Sequence, residues 1–375
     1  MQTATHGSWT PLFGTKLVVV SGWEPDVLPG YWQTTFALGP DPDGEGELEA
    51  TLVRRGAPDT SVGRAVLMVH GFTDYFFNTE LADCFAARGI APYALDLHKC
   101  GRSHREGQTP HFTTNLARYD AELERALDTI AAECDAPVLI YGHSAGGLVV
   151  SLWLNRRRRA ATPEKGVSGL VLNSPWLDLH GHPILRMPPA TAAIMALGRL
   201  RKRTVVRRPT EGGYGITLHR DYHGEFDYDL TWKPIGGFPV TFGWIHAIRR
   251  GQARLHRGLD VGVPNLVLRS DRSVREVGDA PEDIAGVEGI GAIEMMRRGD
   301  AVLDVKQIAR WAGCIGNRTT IAPITEAKHD VFLSVPDSRA QAYAELHSWL
   351  DWYLTSHLAD TSAKPTQTDE SEGHG

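Results

Sequence analysis

Read only for apolar and polar positions, the chain falls into two rhythmic stretches with an arrhythmic one between them. From residue 64 short apolar runs alternate with segments whose apolar residues recur at helical spacing. Ala65 to Val69, Ile90 to Leu95, Val138 to Tyr141 and Leu170 to Asn173 predict strands. Asn78 to Arg88, closed by Gly89, predicts a helix. So does Asn115 to Ala132, which repeats Leu116, Tyr119, Leu123, Leu127 and Ile130 along one side and has Asn115 as a cap. Upstream, Tyr31 to Leu38 and Leu48 to Arg54 read as an antiparallel hairpin across Gly39-Pro-Asp-Pro-Asp-Gly-Glu-Gly. Strand and helix in alternation predict the α/β class, a mostly parallel sheet with helices on both faces.

The rhythm stops after Ser174-Pro-Trp. Residues 175–250 are rich in Gly, Pro, Arg and aromatics, with a basic run from Arg199 to Arg208. An insertion of this length between core strands is usually a functional piece, and it reads as a cap over 177–246. Trp244 to Leu255 looks helical and returns the chain to the core. Asn265 to Leu268 resumes the strands, residues 271–299 read as irregular and acidic, and Asp304 to Trp311 as a helix. Thr319 to Ile324 is the last strand and Arg339 to Thr355 the closing helix. The expected division is an N-terminal extension over 1–30, a core over 31–176 and 247–358, the cap over 177–246, and a disordered tail over 359–375, whose polar residues leave nothing to bury.

The strand at Val138 runs directly into Gly142-His-Ser-Ala-Gly146, and Leu148, Val149, Leu152 and Trp153 then recur at helical spacing. Strand, G-x-S-x-G and helix is the context of a nucleophile elbow, in which Ser144 stands exposed above a sheet. A hydroxyl is a poor nucleophile without a base and an acid to support it. In hydrolases of this arrangement the partners follow in the order Ser, acid, His. His329, between the last strand and the last helix, occupies the place of the base. The acid should follow the strand at Asn265, where Asp271, Asp300 and Asp304 compete. Asp304 also suits a helix N-cap and Asp271 a turn. The oxyanion hole needs two backbone N–H groups. The residue after the nucleophile, Ala145, offers one, and Phe72 in His70-Gly-Phe-Thr-Asp offers the other.

Composition changes this picture only by exclusion. At 375 residues the chain is long enough for one large α/β domain with an insertion. A net charge of −6 gives no reason to expect nucleic acid. The four cysteines are widely spaced with no C-x-x-C pair, which suits reduced thiols and a cytoplasmic location. Neither a signal peptide nor a membrane span is legible. His143 reads as a packing residue. The pairs His180/His182 and His219/His223 lack an H-E-x-x-H pattern, so no metal is expected. The basic run reads as a solvated face that could also meet an anionic head group or membrane surface transiently.

With these residues in place the chain resembles the α/β-hydrolase superfamily, in the branch of monoacylglycerol lipases, lysophospholipases and serine aminopeptidase-like proteins. The resemblance covers about residues 60–355. It rests on His70-Gly-Phe, Tyr93-Ala-Leu-Asp-Leu-His-Lys-Cys-Gly-Arg-Ser, Gly142-His-Ser-Ala-Gly-Gly and Lys328-His-Asp. In the second piece His98-Lys-Cys departs from the family's Asp followed by Arg-Gly-x-Gly-x-Ser. The resemblance implies an eight-stranded, mostly parallel sheet with an inserted lid. It implies a Ser144–His329–Asp300 triad, because Asp300-Ala-Val-Leu-Asp304 matches the family's Asp-x-x-x-Asp, with Asp271 as the other candidate acid. It implies hydrolysis of a small-molecule or lipid monoacyl ester, with amide cleavage as the alternative chemistry and an idle binding protein as a further one. No cofactor is required.

Overall fold

The computed structural model describes residues 22–56, 63–134, 137–160, 166–180, 183–209, 212–274 and 287–357. The tail expected over 359–375 and the first 21 residues of the extension lie outside them.

The sheet begins with a two-residue strand, β1 (Glu24–Pro25), on the edge of the hairpin β2 (Tyr31–Pro40) and β3 (Glu47–Arg55). The alternation then appears as expected: β4 (Ala65–Val69), α1 (Thr79–Ala86), β5 (Ala91–Asp96), α2 (Asp120–Glu133), β6 (Val138–His143), α3 (Ala145–Arg159) and β7 (Val167–Asn173). Asn78 caps α1 by accepting from the Leu81 amide, and Asn115 accepts from Ala117 at the 3₁₀ turn leading into α2. Beyond the insertion come β10 (Asn265–Ser270), β11 (Thr319–Ile324) and the long C-terminal helix (Pro336–Trp352). The strand order is β1-β2-β3-β5-β4-β6-β7-β10-β11. The expected eight strands are thus joined by β1. Strands β5, β4, β6, β7, β10 and β11 run parallel. Every residue of β4 and β6 is buried, so these strands read as unbroken apolar runs because helices cover both faces.

Register places the chemistry. Val69 pairs with Gly142, His143 with Asn173, and Asn173 with Leu268. The carboxyl ends of β4, β6, β7 and β10 therefore lie in a row, and the turns after them share one edge of the sheet, where open α/β sheets bind ligands.

The insertion holds more regular structure than its sequence pattern suggests. It contains α4 (Pro188–Leu200), a two-stranded piece of β8 (Val205–Arg207) and β9 (Val240–Thr241), and α5 (Phe242–Leu255). The prolines opening α4 fall at its first positions, where a missing N–H is harmless. Of the basic run, Lys202 reaches Asp43 at 3.1 Å and Arg203 bonds Glu45 in the β2–β3 turn. The segment expected to be irregular over 271–299 also contains a helix, α6 (Val287–Arg297). It buries Ile293 and Met296 against Ile216 of the insertion. A short α7 (Val305–Trp311) follows, capped by Asp304. The departure at His98-Lys-Cys is filled by ion pairs. Lys99 is buried between Asp41 and Glu45 at 2.7 Å each, and His98 pairs with Glu122.

Candidate active site

Ser144 occupies the turn between β6 and α3 with φ 51° and ψ −120°, a conformation L-residues avoid. Two glycines make the turn possible. A Cβ on Gly146 would lie 2.2 Å from the His70 carbonyl oxygen, and one on Gly71 would lie 2.9 Å from the Ser144 Cβ. Their absence lets the first turn of α3 abut the turn after β4. Ala145 and Phe72 adjoin this contact in sequence, next to Gly146 and Gly71. His70 stiffens the same turn: its Nδ1–H donates to the Gly71 carbonyl at 2.8 Å and its Nε2 accepts from the Leu97 amide at 3.1 Å. The Phe72 ring stacks on Trp244 of α5 at 5.1 Å and lies 5.0 Å from His111.

His329 sits in the loop after β11, only 3% exposed, and its Nδ1 donates to Asp300 Oδ2 at 2.9 Å. That hydrogen bond fixes the tautomer and leaves Nε2 as the acceptor. Among the described residues Nε2 is buried with no hydrogen-bond partner. Asp300 is fully buried, and its Oδ1 accepts the Val302 and Leu303 amides at 2.8 Å each.

Thirty residues separate Asp300 from the end of β10, and the backbone explains how it still arrives. Ser273, just past the strand, pairs with Asp300 as an isolated parallel bridge, with Val274 N donating to Asp300 O and Asp300 N to Arg272 O. The bridge seats Asp300 beside the residues that directly follow β10. Asp271 is not brought to His329. It is exposed, chelates the Arg272 guanidinium and accepts the Glu326 amide at 2.9 Å. Partial burial opposes ionisation there, but the Arg272 hydrogen bond holds its carboxyl below the usual range. Asp304 accepts from Lys306 N at 3.0 Å and acts as a cap.

Several residues that pattern reading left out hold the loops together. Asn173 accepts the Ser144 amide on its carbonyl at 2.9 Å, donates Nδ2 to Asp330 Oδ1 at 2.7 Å and accepts Val331 N at 3.2 Å. One residue thus joins the elbow to the histidine loop. Tyr214, from the insertion, accepts the Asp330 amide on its hydroxyl and presents its ring edge-on to His329 at 5.8 Å. Lys328 is buried, donates to the Thr217 carbonyl at 2.5 Å, and is pushed down to about 7 by burial, aided by Arg297 and Arg339. His143 is more than packing. Its Nδ1 meets Asp74 Oδ2 at 3.1 Å and its ring lies 5.1 Å from that of His329. The only signal for this in sequence was the position of His143 beside the nucleophile. The candidate metal pairs fare differently. His219 donates Nε2–H to the Tyr228 carbonyl and accepts Asp221 N, and His182 lies outside the described residues.

A parallel sheet with this strand order and an elbow of this kind define an α/β hydrolase. Residues 60–273, more than half the chain, match the family model described as serine aminopeptidase, S33, and the chain belongs to that family. It is 28% identical over 116 residues to phospholipase YtpA of Bacillus subtilis (strain 168), a match covering 30% of this chain and 41% of that one. In fold it is similar to a soluble variant of monoglyceride lipase from Saccharomyces cerevisiae solved with a substrate analog, with 16% identity, 90% and 96% of the two chains covered and a TM-score of 0.56. It is also similar to the monoacylglycerol lipase of Paleococcus ferrophilus, with 14% identity, 86% and 99% covered and a TM-score of 0.53. No helix among the described residues is long and apolar enough to cross a membrane.

Proposed function

We propose that this hydrolase cleaves carboxylic esters, of the monoacylglycerol or lysophospholipid kind, through an acyl-enzyme on Ser144, His329 and Asp300. The observation that carries the reading is the His329–Asp300 hydrogen bond, whose tautomer leaves a buried, unpartnered Nε2 at the sheet edge where Ser144 is strained outward. Ser144 Oγ attacks the ester carbonyl as Nε2 takes its proton, and Asp300 stabilises the imidazolium. The Phe72 and Ala145 amides receive the oxyanion. His329 gives the proton to the leaving alcohol, then activates the water that frees the acid. No cofactor enters.

The insertion over 177–246 acts as the cap, with core over 31–176 and 247–358. The apolar surface of Phe72, Trp244 and Phe238 suits an acyl chain, and the names of the phospholipase and lipase relatives support a lipid ester. The cap exposes Ile184, Met187, Leu197, Leu200, Val205 and Val206, beside the exposed cations Arg199, Arg201 and Arg208. This face makes the transient contact with an anionic lipid surface, and the protein does not insert stably. Free Cys84, Cys100, Cys134 and Cys314 fit a cytoplasmic location.

A panel of nitrophenyl esters, monoacylglycerols, lysophospholipids and amino-acid anilides tests the reading, with Ser144→Ala as the blank. Ester turnover that is lost in the variant is expected. Turnover confined to anilides would transfer the triad to amide chemistry, and no turnover of any member would sink the reading.

A further inference from the structure

The bond-making and bond-breaking steps described above use nothing from residues 227–240, yet one side chain from that stretch ends beside the nucleophile's turn. Lys233, 8% exposed, donates Nζ to Asp74 Oδ1 at 2.6 Å, and Asp74 is itself buried in the turn that carries Phe72. The other carboxylate oxygen of Asp74 meets His143 Nδ1 at 3.1 Å, and the His143 ring packs on that of His329. The ammonium also lies over the rings of Phe77 and Tyr228, at 5.4 and 5.8 Å, and within 3.5 Å of the Thr73 carbonyl. A second bond ties the same two pieces: Thr73 Oγ1 accepts the Phe238 amide at 3.0 Å. Thr73 sits at φ 52°, a left-handed conformation that costs a β-branched residue energy. Burial by itself would raise the Asp74 carboxyl; Lys233 and His143 overcome this and hold it far below the usual carboxylate range. The Asp74 carboxylate is therefore held charged against the lysine, and buried charges are retained only where they are paired.

We propose that Lys233 is a positioning residue for ester cleavage: reaching from the cap, it fixes the Asp74 turn and thereby the Phe72 amide of the oxyanion hole and the His143 ring against His329. The inference rests on the reading of the site as an esterase. A cap that only covered the substrate would influence binding. A cap that holds the oxyanion turn influences the chemical step, because stabilisation of a developing charge depends on donors already in place.

The test compares wild type with Lys233→Met, Lys233→Arg and Thr73→Val on a nitrophenyl ester, with active sites counted by end-point fluorophosphonate titration. Each is also assayed with a trifluoromethyl ketone, whose serine adduct carries the oxyanion. Lys233→Met should lose about tenfold to a hundredfold in kcat and a similar factor in ketone affinity, with KM within about threefold of wild type. Lys233→Arg should recover most of both. Thr73→Val, which leaves no buried charge unpaired, should show the same signature at roughly threefold to tenfold and decides the matter if Lys233→Met does not fold. Unchanged kcat in Lys233→Met or, where that variant does not fold, in Thr73→Val, or a loss confined to KM with ketone affinity intact, would overturn the inference while the esterase reading stands. A wild type that turns over no ester and takes no fluorophosphonate would overturn both.

Discussion

His329 and His143 each present Nδ1 to a buried aspartate, and their rings lie 5.1 Å apart, yet the two carboxylates are compensated differently. Asp74 has a lysine ammonium on its second oxygen. Asp300 has two backbone amides there. An ammonium cancels the charge of its carboxylate, so little field remains for a neighbouring imidazolium. Amides hold a carboxylate in place and leave its full charge to act on its partner. The backbones differ as well. His143 is locked inside β6, whereas His329 stands on a loop; Nε2 of each is buried without a hydrogen-bond partner among the described residues, so the backbone and not the free nitrogen separates them. In the proposed reading these two pairs of the same residue types divide the work, one as acid and base and the other as scaffold.

The comparison breaks if the two aspartates prove interchangeable. Asp300→Asn should lower kcat by about 10⁴, because the amide favours the wrong imidazole tautomer. Lys328→Met sharpens it through stability. With its amine at about 7 in the folded chain against 10.5 when free, the unfolded chain holds a proton that the folded one has lost between those values. The site's contribution to stability therefore rises with pH across that window and is at its worst at pH 7 and below. Denaturant midpoints should show about 3 kcal/mol less gain from pH 7 to 9.5 in Lys328→Met than in wild type. Equal slopes would mean that the lysine keeps its proton in the folded chain, a cation that would oppose an imidazolium at the adjacent His329. Asp74→Asn keeps a polar partner for His143 and should cost about tenfold in kcat with KM little changed. A loss as large as that of Asp300→Asn would make His143–Asp74 the working pair. The smallest effect is expected for Asp271→Asn, within about twofold in ester turnover, since its carboxylate serves Arg272 and the Glu326 amide.

What could be read from the sequence is what local pattern encodes. Buried parallel strands are continuous apolar runs, so β4, β6, β7 and β10 were legible, while the half-exposed edge strand β11 was legible only from its β-branched residues. The elbow is legible because its glycines, serine and helix are contiguous. Order along the chain was enough to find His329. Asp300 needed the resemblance, because the bridge from Ser273 that delivers it crosses an insertion no periodicity reveals. The scaffold pair was out of reach. Asp74 and Lys233 lie 159 residues apart, and a lysine in a Gly- and Pro-rich stretch gives no sign that its ammonium is buried. Helix α4 was written in the Ala-rich run after Pro188 but masked by its prolines, and α6 by its glycines and acidic surroundings.

Ester cleavage as proposed requires that Ser144 be activated by His329 and not by His143. The most direct measurement treats wild type, His329→Asn and His143→Asn with a fluorophosphonate and maps the adduct by peptide mass spectrometry. An adduct is expected on Ser144 in wild type and in His143→Asn, with labelling slowed at least about a thousandfold, on the order of triad loss, in His329→Asn. An adduct at another residue, or one that survives His329→Asn and disappears in His143→Asn, would contradict that requirement.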